Sequence, residues 1–285
     1  MKSYDNSEPT KWLLKIDRGD DVAIEIFSRR EQKYLITRWQ YEQLVERMMP
    51  HMRYDKYGIN GKYTVTSLYF ENDERDIYFE TKNKLKYRQK LRLRVYDETD
   101  INGTAFFEVK QKHNNVVNKR RVVMPLAEAY RFLENGLDEE LASYQSTNEQ
   151  VLREIEYFKQ FYQLHPEMIV SYYRQAFHGV TDPELRVTFD MDLKCRNGDL
   201  AVEHGAYGER FIDEDLVVLE VKVNDSVPLW LTRHLQDLNC EQRSASKFCT
   251  STELLSGHHL PQNEWMETTT IGGRKSGNDQ QLISI

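Results

Sequence analysis

Hydrophobic and polar residues alternate most regularly between Lys82 and Tyr96. Lys82, Lys84, Lys86, Arg88, Lys90, Arg92 and Arg94 occupy every second position, while Leu85, Tyr87, Leu91, Leu93 and Val95 fall on the other parity. Period two is the period of a strand, so the basic heads leave one face and the apolar side chains the other. The whole run would exceed about 40 Å at roughly 3.3 Å per residue, so a turn near Asn83 and a strand from about Leu85 to Tyr96 are expected. Neighbouring charges about 7 Å apart repel by about 0.6 kcal/mol in water and about 2.4 kcal/mol at an effective dielectric of about 20. If the face is enclosed, it needs an anion; if it is open, it is a solvated sheet face.

Similar patterns predict the other elements. Val22 to Ile36 reads as the first strand, and Thr37 with Gln40 forms a capping-box pattern before a helix that Pro50 stops. Tyr63 to Phe70 alternates as a strand, with Tyr63, Val65, Ser67 and Tyr69 on one face, and Asp76 to Glu80 reads as a partner for the Lys86 strand. Thr104 to Lys112, a turn at Asn114-Asn115 and Val116 to Met124 form a hairpin. Helices follow from Pro125 to Asn135-Gly136 and from Ser146 or Thr147 to Pro166. Strands resume at Met168 to Phe177, Leu185 to Leu193, Leu200 to His204 and Leu216 to Val223. A helix then opens at Ser226 and a short one at Ser246-Lys247-Phe248. Residues 1–20 read as a polar leader and residues 257–285 as a disordered tail, leaving one domain over 21–256. Eight or nine strands with few helices suggest an α+β fold built on a closed antiparallel β-barrel of about eight strands, because closure removes exposed edges. The recurrence of charged faces places them in the bore, a charged tunnel, with apolar faces turned to helices packed outside.

Composition sharpens this picture. The 285 residues are 39% hydrophobic with a net charge of −7, which argues against a general nucleic-acid binder, yet Lys82 to Arg121 holds twelve Lys or Arg against four Asp or Glu. Three cysteines without metal-type spacing, no signal-peptide core and no long apolar stretch suggest a reduced, cytoplasmic chain that would meet a membrane only through a membrane-protein partner.

The chemistry lies in repeated charged units. Glu31-Gln32-Lys33, Glu108-Val109-Lys110 and Glu220-Val221-Lys222 each place a carboxylate and an ammonium on one strand face. Lys119 shares a face with Arg121, Tyr172 with Arg174, and Arg186 with Thr188 and Asp190. Each pair alone reads equally as a surface ion pair. Together they describe an Arg- and Lys-rich pocket with a few carboxylates, suited to polyphosphate: Arg forks grip phosphate oxygens, Lys adds charge and a carboxylate holds a divalent cation.

Arg30-Glu31-Gln32-Lys33-Tyr34, Ser67-Leu68-Tyr69-Phe70, Lys90-Leu91-Arg92-Leu93-Arg94-Val95-Tyr96, Phe107-Glu108-Val109-Lys110 and Lys119-Arg120-Arg121 follow in an order that resembles VTC-domain proteins. So do Tyr172-x-Arg174, Arg186-Val187-Thr188-Phe189-Asp190, Leu219-Glu220-Val221-Lys222 and Ser246-Lys247-Phe248. These proteins form the polyphosphate polymerase branch of the triphosphate tunnel metalloenzymes, and the resemblance covers about Phe27 to Leu255. It implies an eight-stranded tunnel binding ATP and polyphosphate. Lys33, Arg92, Arg94, Lys110, Tyr172, Arg174, Ser246 and Lys247 become phosphate contacts, with Arg92, Arg94, Lys110 and Arg174 catalytic. Arg88, Lys90, Lys119 and Arg186 extend the phosphate-binding lining, and Glu220 is the ligand of Mn²⁺ or Mg²⁺. The register of Lys119 to Arg121 is left open. The wider superfamily opens with Glu-x-Glu-x-Lys, whereas this chain has Arg29 in the first position, so the role of Glu31 is open, as is that of Glu108. The implied reaction is transfer of the γ-phosphate of ATP to a growing polyphosphate chain. The alternatives are hydrolysis of inorganic or nucleoside triphosphate and a non-catalytic polyphosphate-binding module. Single-stranded RNA is disfavoured because Tyr87, Leu91, Leu93 and Val95 lie opposite the basic row.

Overall fold

In a computed structural model, residues 30–114, 116–243 and 246–257 are described. The expected leader over 1–20, the start of the first strand before Arg30 and the expected tail beyond residue 257 lie outside the described residues.

The chain starts with β1 (Arg30–Thr37), and Thr37 begins α1 (Arg38–Met48) through the expected capping box: its hydroxyl accepts from Gln40 N at 3.2 Å while Gln40 Oε1 accepts from Thr37 N at 2.8 Å. There follow β2 (Met52–Tyr54), β3 (Lys62–Glu71) and α2 (Asp76–Lys82). The sequence pattern over Asp76 to Glu80 predicts a strand, but local caps make it a helix: Asn72 Oδ1 accepts from Asp76 N, and Glu71 accepts from Ile77 N and Tyr78 N. The basic run becomes β4 (Tyr87–Tyr96), preceded at Lys84 by a left-handed residue, φ 53°, that makes the expected turn. The hairpin β5 (Thr104–His113) and β6 (Val116–Pro125) leads to α3 (Leu126–Asn135) and α4 (Glu149–Tyr162). Asn148 caps α4 in place of Ser146 or Thr147, because the Thr147 hydroxyl accepts from Val123 N and ties that residue to the sheet. Next come β7 (His165–Gly179) and β8 (Arg186–Arg196). Residues expected as a strand at Leu200 to His204 instead form a 3₁₀ turn over Val202–His204, where Asp199 accepts from Ala201 N and contacts His204. The described chain closes with β9 (Glu209–Arg210), β10 (Leu216–Val223), α5 (Leu229–Asp237) and α6 (Lys247–Leu255).

The strands form one antiparallel sheet in the order β1-β10-β8-β7-β3-β4-β5-β6, with β2 on β7 and β9 on β8. This corrects the expected closed eight-stranded barrel: among the described residues there are ten strands, and β1 and β6 end the path without pairing to each other. The free edge of β1 is taken by the segment between α5 and α6, where Arg243 N donates to the Lys33 carbonyl at 2.8 Å and Gln242 bridges to Tyr34. A strand has only two edges, so a neighbour there competes directly with barrel closure. The sheet is nevertheless curled enough for Lys110 of β5 to approach Glu31 of β1 at 3.8 Å.

Apolar residues on the convex side form the core. Ile36, Val187, Phe189, Val217, Leu219 and Val221 pack with Leu44 and Met48 of α1 and Leu231 and Leu235 of α5. Leu91, Leu93, Phe107 and Val122 pack with Phe132 of α3 and Leu152 and Ile155 of α4. A second correction concerns α6, which was expected outside with the other helices: Lys247 at its start contacts Asp190 and Glu220, and Phe248 packs tilted against Tyr69, all on the charged face of the sheet. Among the described residues no helix is long and apolar enough to cross a membrane.

Phe107 is fully buried between Phe70 and Phe132 and faces away from the charged side. Phe107→Ala is expected to lower the urea-unfolding free energy by about 3–5 kcal/mol, since it leaves a cavity that close-packed neighbours cannot fill.

Candidate functional site

One face can be followed residue by residue across the sheet. Glu31 and Lys33 lie opposite Lys222 and Glu220, and Lys222 and Glu220 lie opposite Arg186 and Thr188. Asp190 faces Arg174, Arg174 faces Tyr63, and Val65 faces Tyr172. Ser67 and Tyr69 face Arg94 and Arg92, which border Phe106 and Glu108. Lys110 lies beside Lys90 and Lys119, and Glu108 beside Arg121. Lys119 and Arg121 therefore both point to the concave side, which settles the register left open by sequence, while Arg120 turns outward to Glu154.

Two buried carboxylate centres brace the cations. On one wall Asp190, with no solvent exposure, receives Arg174 Nε and Nη2 at 2.6 and 2.8 Å and Lys247 Nζ at 2.6 Å. Beside it Glu220 contacts Lys247 at 3.1 Å, Lys222 at 3.1 Å, Lys33 at 3.4 Å and Arg174 at 3.9 Å. On the other wall Glu108, 1% exposed, accepts from Arg92 Nε at 2.6 Å, from Arg121 Nε at 2.6 Å and from Lys119 at 2.5 Å. Arg94 donates to Ser67 at 3.0 Å and to the Tyr172 hydroxyl at 3.1 Å, and the Tyr172 ring lies under Arg174 and Lys247.

Burial and charge compete at each group. Burial would raise the Glu220 and Asp190 carboxyls, but Lys247 and the other cations hold Glu220 well below the usual carboxylate range, and Arg174 and Lys247 hold Asp190 below its ordinary value. Burial would likewise raise Glu108, yet Arg92, Arg94, Lys119 and Arg121 keep it far below that range. The lysines divide. Burial would lower Lys33 and Lys247, but carboxylate partners raise both. Burial lowers Lys90 to about 8 and Lys119 to about 7, and it lowers Lys110 with help from Lys33 and Lys222. Burial would raise the Tyr69 phenol, but Arg92, Arg94 and Lys90 bring it down to about 8. The β4–β6 wall thus crowds Lys90, Arg92, Arg94, Lys110, Lys119 and Arg121 onto one face, with Lys110 and Lys119 still 45% and 40% exposed, and an incoming anion would relieve the repulsion that Glu108 only partly balances.

The structure brings Lys33, Lys90, Arg92, Arg94, Lys110, Lys119, Tyr172, Arg174, Glu220, Ser246 and Lys247 onto this face. Ser246 caps α6 by accepting from Cys249 N at 3.3 Å and also meets Lys90 Nζ at 3.2 Å, so the start of the helix opens toward the cluster. Arg88 and Arg186 stand apart. Arg88 donates to the Leu85 carbonyl at the start of β4, and Arg186 pairs with Asp55 at 3.0 Å and lies 3.3 Å from the Tyr63 hydroxyl. Lys82, next to the basic strand in sequence, is held by Glu253 of α6. Asp190 and Lys222 were visible as same-face neighbours without a role, and Arg121 shared that position with Lys119. Asp55, in the loop after β2, had no sequence signal.

Glu31 and Glu220 converge on the Lys33 ammonium, at 3.0 and 3.4 Å. Among the described residues no three of His, Cys, Asp or Glu group closely enough to hold a metal ion by themselves. The donor set therefore does not fit a resident all-protein metal site. One or two carboxylates such as Glu31 and Glu220 are what a hard divalent ion takes from a protein when other oxygens and water complete its shell.

A curled antiparallel sheet with carboxylate-braced Arg and Lys on its concave face offers guanidinium forks and ammonium groups of the kind that pair with phosphate or carboxylate oxygens. The chain belongs to the VTC domain family, whose model matches residues 28–256. It is 22% identical over 246 residues to vacuolar transporter chaperone complex subunit 4 of Trypanosoma cruzi, covering 71% of this chain and 30% of that one. It is 24% identical to the same-named subunit of Schizosaccharomyces pombe over 261 residues, covering 78% of this chain and 36% of the relative. The chain thus spans about a third of the length of these curated relatives. Among solved structures, HpAC1 from Hippeastrum aligns with a TM-score of 0.47 and 17% identity, covering 81% of this chain and 97% of that one. A likeness at that score bears on nothing further.

Glu31 provides a titration test. Burial would raise its carboxyl, but Lys33, Lys222 and Lys110 bring it from 4.5 down to about 2. A depressed carboxylate contributes stability that is present above its unfolded pKa and lost as pH falls through the folded one. Denaturant titrations of wild type and Glu31→Gln are expected to differ at neutral pH and to converge between about pH 4.5 and about 2; curves that stay parallel across this window contradict the assignment.

Proposed function

We propose that the chain is a polyphosphate polymerase that transfers the γ-phosphate of ATP to a growing polyphosphate chain along the concave face. The observation that carries this reading is the crowding of Lys90, Lys110 and Lys119 beside Arg92 and Arg94 on one concave face, in a chain of the VTC domain family. The shared resemblance to proteins named vacuolar transporter chaperone complex subunit 4 supports it.

In this reading residues 21–256 form the catalytic domain. Arg92, Arg94, Lys110 and Arg174 surround the transferred phosphoryl group, while Lys33, Lys90, Lys119, Tyr172, Ser246 and Lys247 hold the flanking phosphates. Arg88 and Arg186, near the ends of their strands, guide the polyanion at either end. Glu220, with Glu31 beside it, would hold the divalent ion carried by the triphosphate, and the bound ion supplies neutralisation of phosphate charge. The acceptor is the ionised terminal phosphate of the chain, so no general base is needed. It attacks the γ-phosphorus in line, the bond to the β-phosphate oxygen breaks and ADP leaves. Positioning by guanidinium forks and fixed positive charge lower the barrier, and both act in a partly dry site where they are strongest.

Incubation with ATP and Mn²⁺ or Mg²⁺ is expected to yield a ladder of acid-labile polymer; release of orthophosphate alone indicates triphosphate hydrolysis, and tight polyphosphate binding without product indicates a non-catalytic module. Arg92→Ala, Arg94→Ala, Lys110→Ala and Glu220→Ala are each expected to lower turnover by about 100-fold or more while the circular dichroism spectrum stays unchanged. Full activity in all four variants would sink the assignment.

A further inference from the structure

Glu108 and Arg121 stand out because the chemistry proposed above leaves both without a role, yet Glu108 is the most heavily engaged carboxylate on the β4–β6 wall. Its Oε2 receives Arg92 through Nε at 2.6 Å and Nη2 at 2.5 Å, and its Oε1 receives Arg121 through Nε at 2.6 Å and through Nη2, with Lys119 at 2.5 Å. A guanidinium has five N–H donors in a rigid plane, so a carboxylate gripping the Nε and Nη2 edge fixes the plane and leaves the Nη1 edge for another anion. Among the described residues Arg92 Nη1 meets the Tyr69 hydroxyl, at 3.4 Å, and the Arg121 guanidinium carbon lies over the Phe106 ring, 4.7 Å from its centroid. Two guanidinium planes are thereby set side by side on one buried carboxylate.

Resting on the polymerase reading, we infer that Glu108 is a positioning residue for phosphoryl transfer, holding Arg92 and Arg121 as a paired fork, and that Arg121 is itself a phosphate-binding residue. Simple charge counting points the other way. Glu108 is a negative group in a face meant for a polyanion, so removing it would strengthen binding if net charge were all that mattered. A carboxylate that costs attraction and yet engages two guanidinium groups is explained by geometry, because misplacing a reacting group by about 1 Å can cost about 100-fold in rate.

The test compares wild type with Glu108→Gln, Glu108→Asp and Arg121→Lys, measuring kcat and KM for ATP in polymer formation and tripolyphosphate affinity by calorimetry. Glu108→Asp keeps the charge but retracts it by one methylene, and Arg121→Lys keeps the charge but loses the fork. Glu108→Asp is expected to lower kcat by about 10- to 100-fold with tripolyphosphate affinity within about threefold of wild type, and Arg121→Lys to lower kcat by as much and to weaken tripolyphosphate binding by more than about threefold. Glu108→Gln is expected to bind tripolyphosphate at least as tightly as wild type while losing kcat. Should Glu108→Gln fail to fold because buried cations lose their partner, Arg121→Lys still decides, since that side chain is 36% exposed and Glu108 keeps Arg92 and Lys119. Wild-type kcat in both charge-conserving variants overturns the inference alone. A wild-type chain that makes no polymer fails the polymerase reading, and the positioning role falls with it.

Discussion

Everything on the concave face depends on holding a dense set of cations together without letting them push one another apart. Four carboxylates do this, Glu31, Glu108, Asp190 and Glu220, and each is placed where two or more cations reach it. A buried charge without a partner costs several kcal/mol, so each carboxylate must be fully engaged for its neighbours to remain charged. The division between the walls follows from this. For Lys33 and Lys247 the carboxylate partners outweigh burial and hold the ammonium protonated, whereas for Lys90, Lys110 and Lys119 burial outweighs what their partners supply and the groups are lowered.

The open seam and the inward helix belong to the same arrangement. The connection from α5 to α6 crosses the edge of β1, and its hydrogen bond to the Lys33 carbonyl replaces the strand pairing that would close the sheet. This path delivers Ser246 and Lys247 to the charged face, where Lys247 completes both the Asp190 and the Glu220 contacts. A chain that closed β1 onto β6 would have to route this segment elsewhere and would deprive two buried carboxylates of their shared ammonium. Apolar packing on the convex side, with α1 and α5 over one half and α3 and α4 over the other, holds the curl that brings β5 within reach of β1.

Much of this was legible in the order of residues because strand parity is a strict rule. Once Arg92 and Arg94 are on one face, Leu91 and Leu93 are on the other, and the same holds for Glu220 and Lys222 against Leu219 and Val221. The capping box at Thr37 was legible for a similar reason, since both partners lie within one helical turn. The helical state of Asp76–Lys82 was not, because the groups that start it include the buried Glu71 carboxylate, whose orientation depends on the strand before it. Asp55 was invisible for a stronger reason: its partners Arg186 and His178 lie more than a hundred residues away.

The sequence by itself determined which side chains share a face and that one face is basic, since alternation is a property of the local backbone. Tertiary structure alone decided which faces meet. Cross-strand register set Glu108 against Arg92 and Arg121, curling carried Lys110 to Glu31, and the α5–α6 connection left the sheet open. These pairings join residues distant in the chain, and the free energy that selects them comes from burial and charge compensation in the assembled fold, which no local pattern encodes.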